Sequence, residues 1–210
     1  MRSIVLLVFL SMLCASTVAA ADRPAKPSKR QAAPAWIALF DGRSTAGWAM
    51  NGPGRFRVQG GALVTSGGMG ILSYKRRRFR DFDLQVDWRV AERCDNSGVF
   101  VRISRLPRAP IDAVNSGYEV QIDDCDPRGL AYQTGSIYDH APATRLASRP
   151  AGQWNRFHIH VVGQQYTVLL NGVRVSKLSG VRARVGYVGL QNHDPGSRVS
   201  FRRIRARPLG

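Results

Sequence analysis

Short runs in which apolar and polar residues alternate recur along most of this sequence, separated by Gly, Pro, Asn and Asp. That alternation constrains the fold more than any other feature, because a period of two sends successive side chains to opposite faces of a pleated strand. FDLQVDWRV sets Phe82, Leu84, Val86, Trp88 and Val90 against Asp83, Gln85, Asp87 and Arg89. GVFVRIS (98–104), GYEVQID (117–123), RFHIHVV (156–162), GYVGLQNH (186–193) and RVSFRRIRA (198–206) are further strand candidates. Helical periodicity is nearly absent. Gly60-Gly61 and Asn171-Gly172 each stand between two such runs, and the Asn-Gly pair is a strong hairpin signal because both residues tolerate the positive φ of a type I′ turn. About ten short strands in a chain of this length imply an all-β protein of two packed antiparallel sheets, a sandwich or jelly roll.

The first residues, MRSIVLLVFLSMLCASTVAAA, place one Arg before a short apolar run and small residues at its end. This is the layout of a secretory signal peptide over 1–21. The run is too short for a comfortable membrane span and no second run of spanning length follows, so the expectation is an exported protein, periplasmic or secreted. DRPAKPSKRQAA (22–33) carries charges and two prolines but no large apolar residue, and reads as a disordered linker. Residues 34–210 then form one domain of ordinary single-core size. Removing the signal leaves Cys94 and Cys125, which in an oxidising compartment read as a disulfide, two buried free thiols being the alternative. Lys and Arg number 31 against 14 Asp and Glu, a formal charge of +17. The arginines are spread along the chain, as in RRRFR (76–80) and FRRIRAR (201–207), with no nucleic-acid-binding motif beside them. Nucleic acid is therefore not an expected partner; the charge reads as a solvated surface drawn electrostatically to anionic envelope components.

GYEVQID poses the functional question. Tyr118, Val120 and Ile122 share one face, and Glu119, Gln121 and Asp123 the other, although acidic residues are depleted in strands. In GVFVRIS the alternation sets Val99, Val101 and Ile103 together with Arg102 opposite; in GYVGLQNH it sets Val188 and Leu190 against Gln191 and His193. A curved sheet with these polar groups on its concave face would make a carbohydrate cleft.

Eight ordered segments carry a resemblance: LFDGRSTAGW (39–48), DFDLQVDWRV (81–90), DNSGVFVR (95–102), GYEVQIDD (117–124), TGSIYDHAP (134–142), GQWNRFHIHVVG (152–163), LNG (170–172) and GLQNHDPGSRVSFRRIR (189–205). Together they resemble the 3-keto-disaccharide hydrolase domain family over essentially all of residues 35–207. The resemblance implies a concanavalin A-like jelly roll, usually exported, acting on glycosides whose glucose C3 hydroxyl has been oxidised to a ketone. His140 stands where this family more often has a small residue, and adds a candidate sugar contact.

The chemistry of a 3-keto sugar matches these residue types. The ketone acidifies the C2 proton; a base removes it, the C1 substituent departs, and water adds back to complete hydrolysis. That route needs a base, an acid for the leaving oxygen, and a cation or donor on the enolate oxygen. Glu119 and His193 are assigned as the acid–base pair and Arg102 as the enolate clamp, with Asn96, Gln121, Gln191, Asp123, Tyr138 and His140 as sugar contacts. A two-carboxylate mechanism using Glu119 and Asp123 competes, but four residues of strand separate their Cα atoms by about 13 Å. No cofactor is called for, although Asp123, Asp124 and Asp126 leave a divalent metal open. His158 and His160 lack an evident third ligand and read as sheet-face residues. A sugar-binding module without catalysis, or an envelope-associated structural protein, are the alternative classes.

Overall fold

The computed structural model describes residues 34–209; the expected signal peptide over 1–21 and linker over 22–33 lie outside them. Thirteen strands form two antiparallel sheets, as the alternation implies. They are β1 (Ile37–Ala38), β2 (Trp48–Asn51), β3 (Arg55–Gln59), β4 (Ala62–Ser66), β5 (Gly70–Tyr74), β6 (Phe82–Val90), β7 (Ser97–Ile103), β8 (Tyr118–Ile122), β9 (Asn155–Val162), β10 (Gln165–Leu170), β11 (Val173–Ser179), β12 (Tyr187–Asn192) and β13 (Val199–Pro208). The larger sheet runs β11-β10-β9-β6-β13-β4-β3, with β1 also paired to β13; the smaller runs β2-β5-β12-β7-β8. Asn171 and Gly172 take φ of 53° and 87° in the β10–β11 hairpin, and Gly60 and Gly61 take 56° and 74° between β3 and β4. These positive values are why those pairs mark the turns.

One core lies between the sheets. Phe82, Leu84, Val86, Trp88 and Val90 of β6 meet Val99, Val101, Tyr118, Val120, Ile122, Val188 and Leu190 of the smaller sheet, all buried. A second, small cluster sits on the other side of the five-stranded sheet: Ile71, Phe100, Ile103 and Ala113, with Val114 and Tyr187 against it. It is covered by a seven-residue helix, α1 (Pro110–Ser116), which strand periodicity did not foreshadow. Pro110 opens α1, where a missing N–H costs nothing, and the Asp112 carboxylate accepts the Arg108 and Ala109 N–H groups at 2.8 and 3.2 Å.

Ile103 reaches that second cluster because β7 is bulged. Tyr187 pairs with Ile103 but Gly189 with Phe100, so β7 carries one residue more than β12. Arg102 sits at the bulge with φ of 63°. A bulge shifts the alternation by one. Ile103 thus turns outward to join Phe100, and Arg102 turns inward.

Candidate functional site

The five-stranded sheet's outward face carries the polar residues that the sequence singles out. Glu119 and Gln121 project from β8, Gln191 from β12 and Asn96 from the approach to β7. With Met69, Val114, Asp126, Arg128, Tyr138 and His193 they line a hollow of about 210 Å³. A second hollow of about 270 Å³ shares Val114, Glu119 and Tyr138 and adds Asn115, Gly117, Asp139, His140 and Arg182. Glu119 is the floor residue common to both.

Local structure explains how the floor is kept open. Gly98 pairs with Gln121, and Phe100 with Glu119, across β7 and β8. A Cβ on Gly98 would lie 2.0 Å from Glu119 Oε1, so the glycine leaves the space that the carboxyl occupies. The 134–141 loop then lies along the free edge of β8: Gln121 donates to the Ser136 carbonyl at 3.0 Å, and the Tyr138 and Gly135 N–H groups donate to the Glu119 and Gln121 carbonyls at 2.9 and 3.0 Å. This pairing sets Tyr138 at the rim. Opposite, Cys94 and Cys125 are joined as a disulfide that ties the entry of β7 to the exit of β8, Cα to Cα 5.1 Å.

The floor is polar yet underfilled. Glu119 is 7% exposed, Gln121 3% and Gln191 4%. Glu119 Oε1, Gln121 Oε1, Gln191 Oε1 and Asn96 Oδ1 are buried with no hydrogen-bond partner among the described residues. Buried polar atoms are nearly always satisfied, so four orphans in one hollow mark a place shaped for a ligand rich in hydroxyls. Burial pushes the Glu119 carboxyl up to about 8, so it is protonated at neutral pH. At the rim, His193 Nδ1 lies 2.8 Å from Asp194 Oδ2. Burial of Asp194 opposes its ionisation, but hydrogen bonds from His193, Ser197 and the Gly196 N–H outweigh it and hold the carboxyl at about 2. An Nδ1–H given to the Asp194 carboxylate fixes the tautomer in which Nε2 is the acceptor nitrogen of the ring.

Two expected site residues lie elsewhere. Arg102 is fully buried behind the sheet: it donates to the Phe79 and Gly163 carbonyls at 3.0 Å each, donates to the Arg184 carbonyl, and lies 3.5 Å from Asp81. The bulge turns it there, so it does not clamp a ligand beside Glu119. Asp123 stands behind the floor, accepting the Asn96 amide at 3.1 Å and the Cys125 N–H at 2.8 Å. Burial, first, and then the neighbouring Asp126 and Asp124 raise its carboxyl above the ordinary value. It positions Asn96 rather than touching the hollow. His140 reaches the second hollow, edge-on to Tyr118 with ring centroids 4.9 Å apart.

The cation in the hollow is Arg128, which sequence reading overlooked. Asp126 holds its Nε at 3.0 Å and its Nη2 at 2.7 Å, Tyr138 OH accepts from Nη2 at 3.3 Å, and its guanidinium lies 3.6 Å from the Tyr132 ring centre. Nη1 remains as the arm for a ligand. The signal was the segment CDPRG (125–129), which opens with the cystine half Cys125 and sets an Asp two residues before an Arg that it can grip across a turn. Among the described residues no three His, Cys, Asp or Glu side chains converge as a metal-binding group. His158 and His160 instead share Asp83 Oδ1, at 3.0 and 2.7 Å, on the larger sheet.

Residues 35–207 match the profile of the 3-keto-alpha-glucoside-1,2-lyase-like domain. The chain belongs to that family. A 3-keto-disaccharide hydrolase of Bacteroides thetaiotaomicron is 26% identical, over 83% of this chain and 78% of that one. Family and relative together give the domain a glycoside-related function. A proposed glycosyl hydrolase of Parabacteroides distasonis has the same fold, with a TM-score of 0.71, 21% identity and coverage of 83% and 94% of the two chains. A carbohydrate-binding module of Bacillus subtilis superposes with a TM-score of 0.59 at 14% identity, over 77% and 95%.

Proposed function

We propose that this domain cleaves 3-keto-glycosides by elimination and rehydration across C1–C2, in the cleft floored by Glu119. The observation that carries the reading is a buried, protonated carboxyl set among the amide oxygens of Gln121, Gln191 and Asn96, all with an oxygen that has no partner among the described residues. His193 Nε2 takes the C2 proton, and the electron pair moves into the C3 ketone as an enolate. Arg128 Nη1 supplies positive charge to that oxygen. The enolate electrons return, the C1–O bond breaks, and Glu119 gives its proton to the departing oxygen. Water then adds to C1 of the enone, its proton passing to the Glu119 carboxylate, while the imidazolium of His193 returns a proton to C2. Both groups end as they began, and the net change is hydrolysis without oxidation or reduction. We also take the protein to be exported, which fusion of residues 1–33 to a reporter active only outside the cytoplasm would test.

The test is incubation of the purified domain with 3-keto-disaccharides, their unoxidised parents and an E119Q variant, in water and in D2O. Cleavage confined to the keto forms, deuterium at C2 and a silent variant are the expected results. Saturable binding without turnover, unchanged in E119Q, would instead make the domain a sugar-binding module.

A further inference from the structure

The outward face of the larger sheet, on the other side of the sandwich from the cleft, holds a hollow of about 440 Å³. Four arginines line it, Arg149, Arg156, Arg202 and Arg203, against one acid, Asp87. Asp87 projects from β6 and is 6% exposed at its side chain. Arg156 of β9 takes both of its oxygens, Nε at 2.6 Å and Nη2 at 3.1 Å. Arg202 and Arg203 form looser ion pairs with Oδ2 of the same carboxylate at 3.9 Å each, beyond hydrogen-bond reach.

Those two neighbours share the site because β13 is bulged: Arg202 pairs with Asp87 but Arg205 with Gln85. Arg203 takes φ of 48°, a left-handed conformation that side chains rarely adopt without tertiary support. The Arg202 guanidinium lies 3.9 Å from the Trp154 ring centre, and its buried Nε has no hydrogen-bond partner among the described residues, only the ion pair to Asp87 Oδ2 at 3.9 Å. The Arg203 side chain is 66% exposed. Arg202 Nε and Arg203 Nη1 both face Asp87 Oδ2, and beyond that one carboxylate the four arginines leave an excess of guanidinium donors of the kind that bind an oxyanion bidentately.

We propose that this hollow is a binding site for the carboxylate or sulfate group of an acidic glycan, separate from the cleft. Arg202 and Arg203 hold the anion, Arg149 lies beside it, and the Arg156–Asp87 pair is the fixed wall. Confinement of these arginines to one hollow favours a single compact oxyanion over the phosphate ladder of a duplex, which calls for cations in a stripe. None of the lining residues is an exposed large apolar side chain of the kind that enters a lipid interface.

The experiment is titration of the full chain with polygalacturonate, dextran sulfate, neutral dextran and phosphatidylglycerol vesicles at fixed salt. It compares the wild type with R202Q/R203Q, and with R43Q/R105Q as a charge-matched control at exposed arginines elsewhere. An R149Q/R203Q pair repeats the test without touching the Arg202–Trp154 stack. Binding of the two acidic glycans but not dextran, weakened at least tenfold in both site pairs and less than twofold in the control, is the expected result. Equal weakening in the control pair would show only a diffuse cationic surface. Preference for the vesicles, or no acidic-glycan binding by the wild type, would overturn the proposal even if the cleft turns over keto sugars.

Discussion

Replacing Glu119 by Gln separates what this carboxyl does for function from what it costs the fold. Burial lifts the group from its ordinary 4.5 to about 8, so the folded state holds a proton that the unfolded chain releases above pH 4.5. Stability therefore falls as pH rises between those values and levels off above the upper one. Each unit of that window is worth about 1.4 kcal/mol. Between pH 5 and pH 8 the wild type should lose roughly 4 kcal/mol from this group, an upper figure because water entering the cleft screens part of the burial. Gln keeps the shape and cannot ionise. E119Q and the wild type should thus have similar urea midpoints at pH 5, and the variant should be more stable by up to about 4 kcal/mol at pH 8 to 9. The assay is urea unfolding of both proteins at pH 5, 6, 7, 8 and 9, taking the difference at each pH so that every other titrating group cancels. Curves that stay parallel within about 0.5 kcal/mol across the range would refute the buried, protonated Glu119 on which the proposed acid role rests.

The same protonation governs activity: kcat/KM on a 3-keto-disaccharide should decline as pH rises through about 8, a limb that pH–rate profiles would reveal. Gly98→Ala puts a methyl 2.0 Å from Glu119 Oε1 and should cut turnover at least a hundredfold, with a loss of about 1–3 kcal/mol in denaturant unfolding from overpacking. Arg128→Gln should lower kcat/KM at least tenfold with little change in Tm, whereas Arg102→Gln should cost about 3–5 kcal/mol of stability and leave the kinetics of the folded fraction alone. Paired Ser substitutions at Cys94 and Cys125, which are 31 residues apart, should lower stability by about 3–4 kcal/mol in the same unfolding assay.

What the sequence discloses and what it hides divide along one physical line. Strands with an apolar face announce themselves by a period of two, and positive-φ pairs such as Asn171-Gly172 announce their turns, because both signals are local. Glu119, Gln121 and Gln191 were legible for the same reason, each sitting in an unbroken stretch of alternation opposite buried apolar neighbours. The period fails at a bulge. Nothing within GVFVRIS says that β7 gains a residue at Arg102, yet that residue exchanges the places of Arg102 and Ile103 and moves a presumed ligand clamp into the interior. The bulge at Arg203 does the same to FRRIRAR, turning what reads as scattered surface charge into arginines gathered around Asp87.

Both bulges place an arginine at positive φ, 63° and 48°, where an L-residue is strained. Such strain persists only if the surroundings fix it. For Arg102 they visibly do, through backbone carbonyls from Phe79, Gly163 and Arg184 around its buried guanidinium. Among the described residues no comparable set of acceptors surrounds the exposed guanidinium of Arg203, which makes one loose ion pair with Asp87 at 3.9 Å. One strained arginine therefore spends its side chain on the fold, while the other, held in its bulge by ladder pairing on either side, keeps a side chain 66% exposed beside Asp87 and free to reach the anion proposed for that hollow.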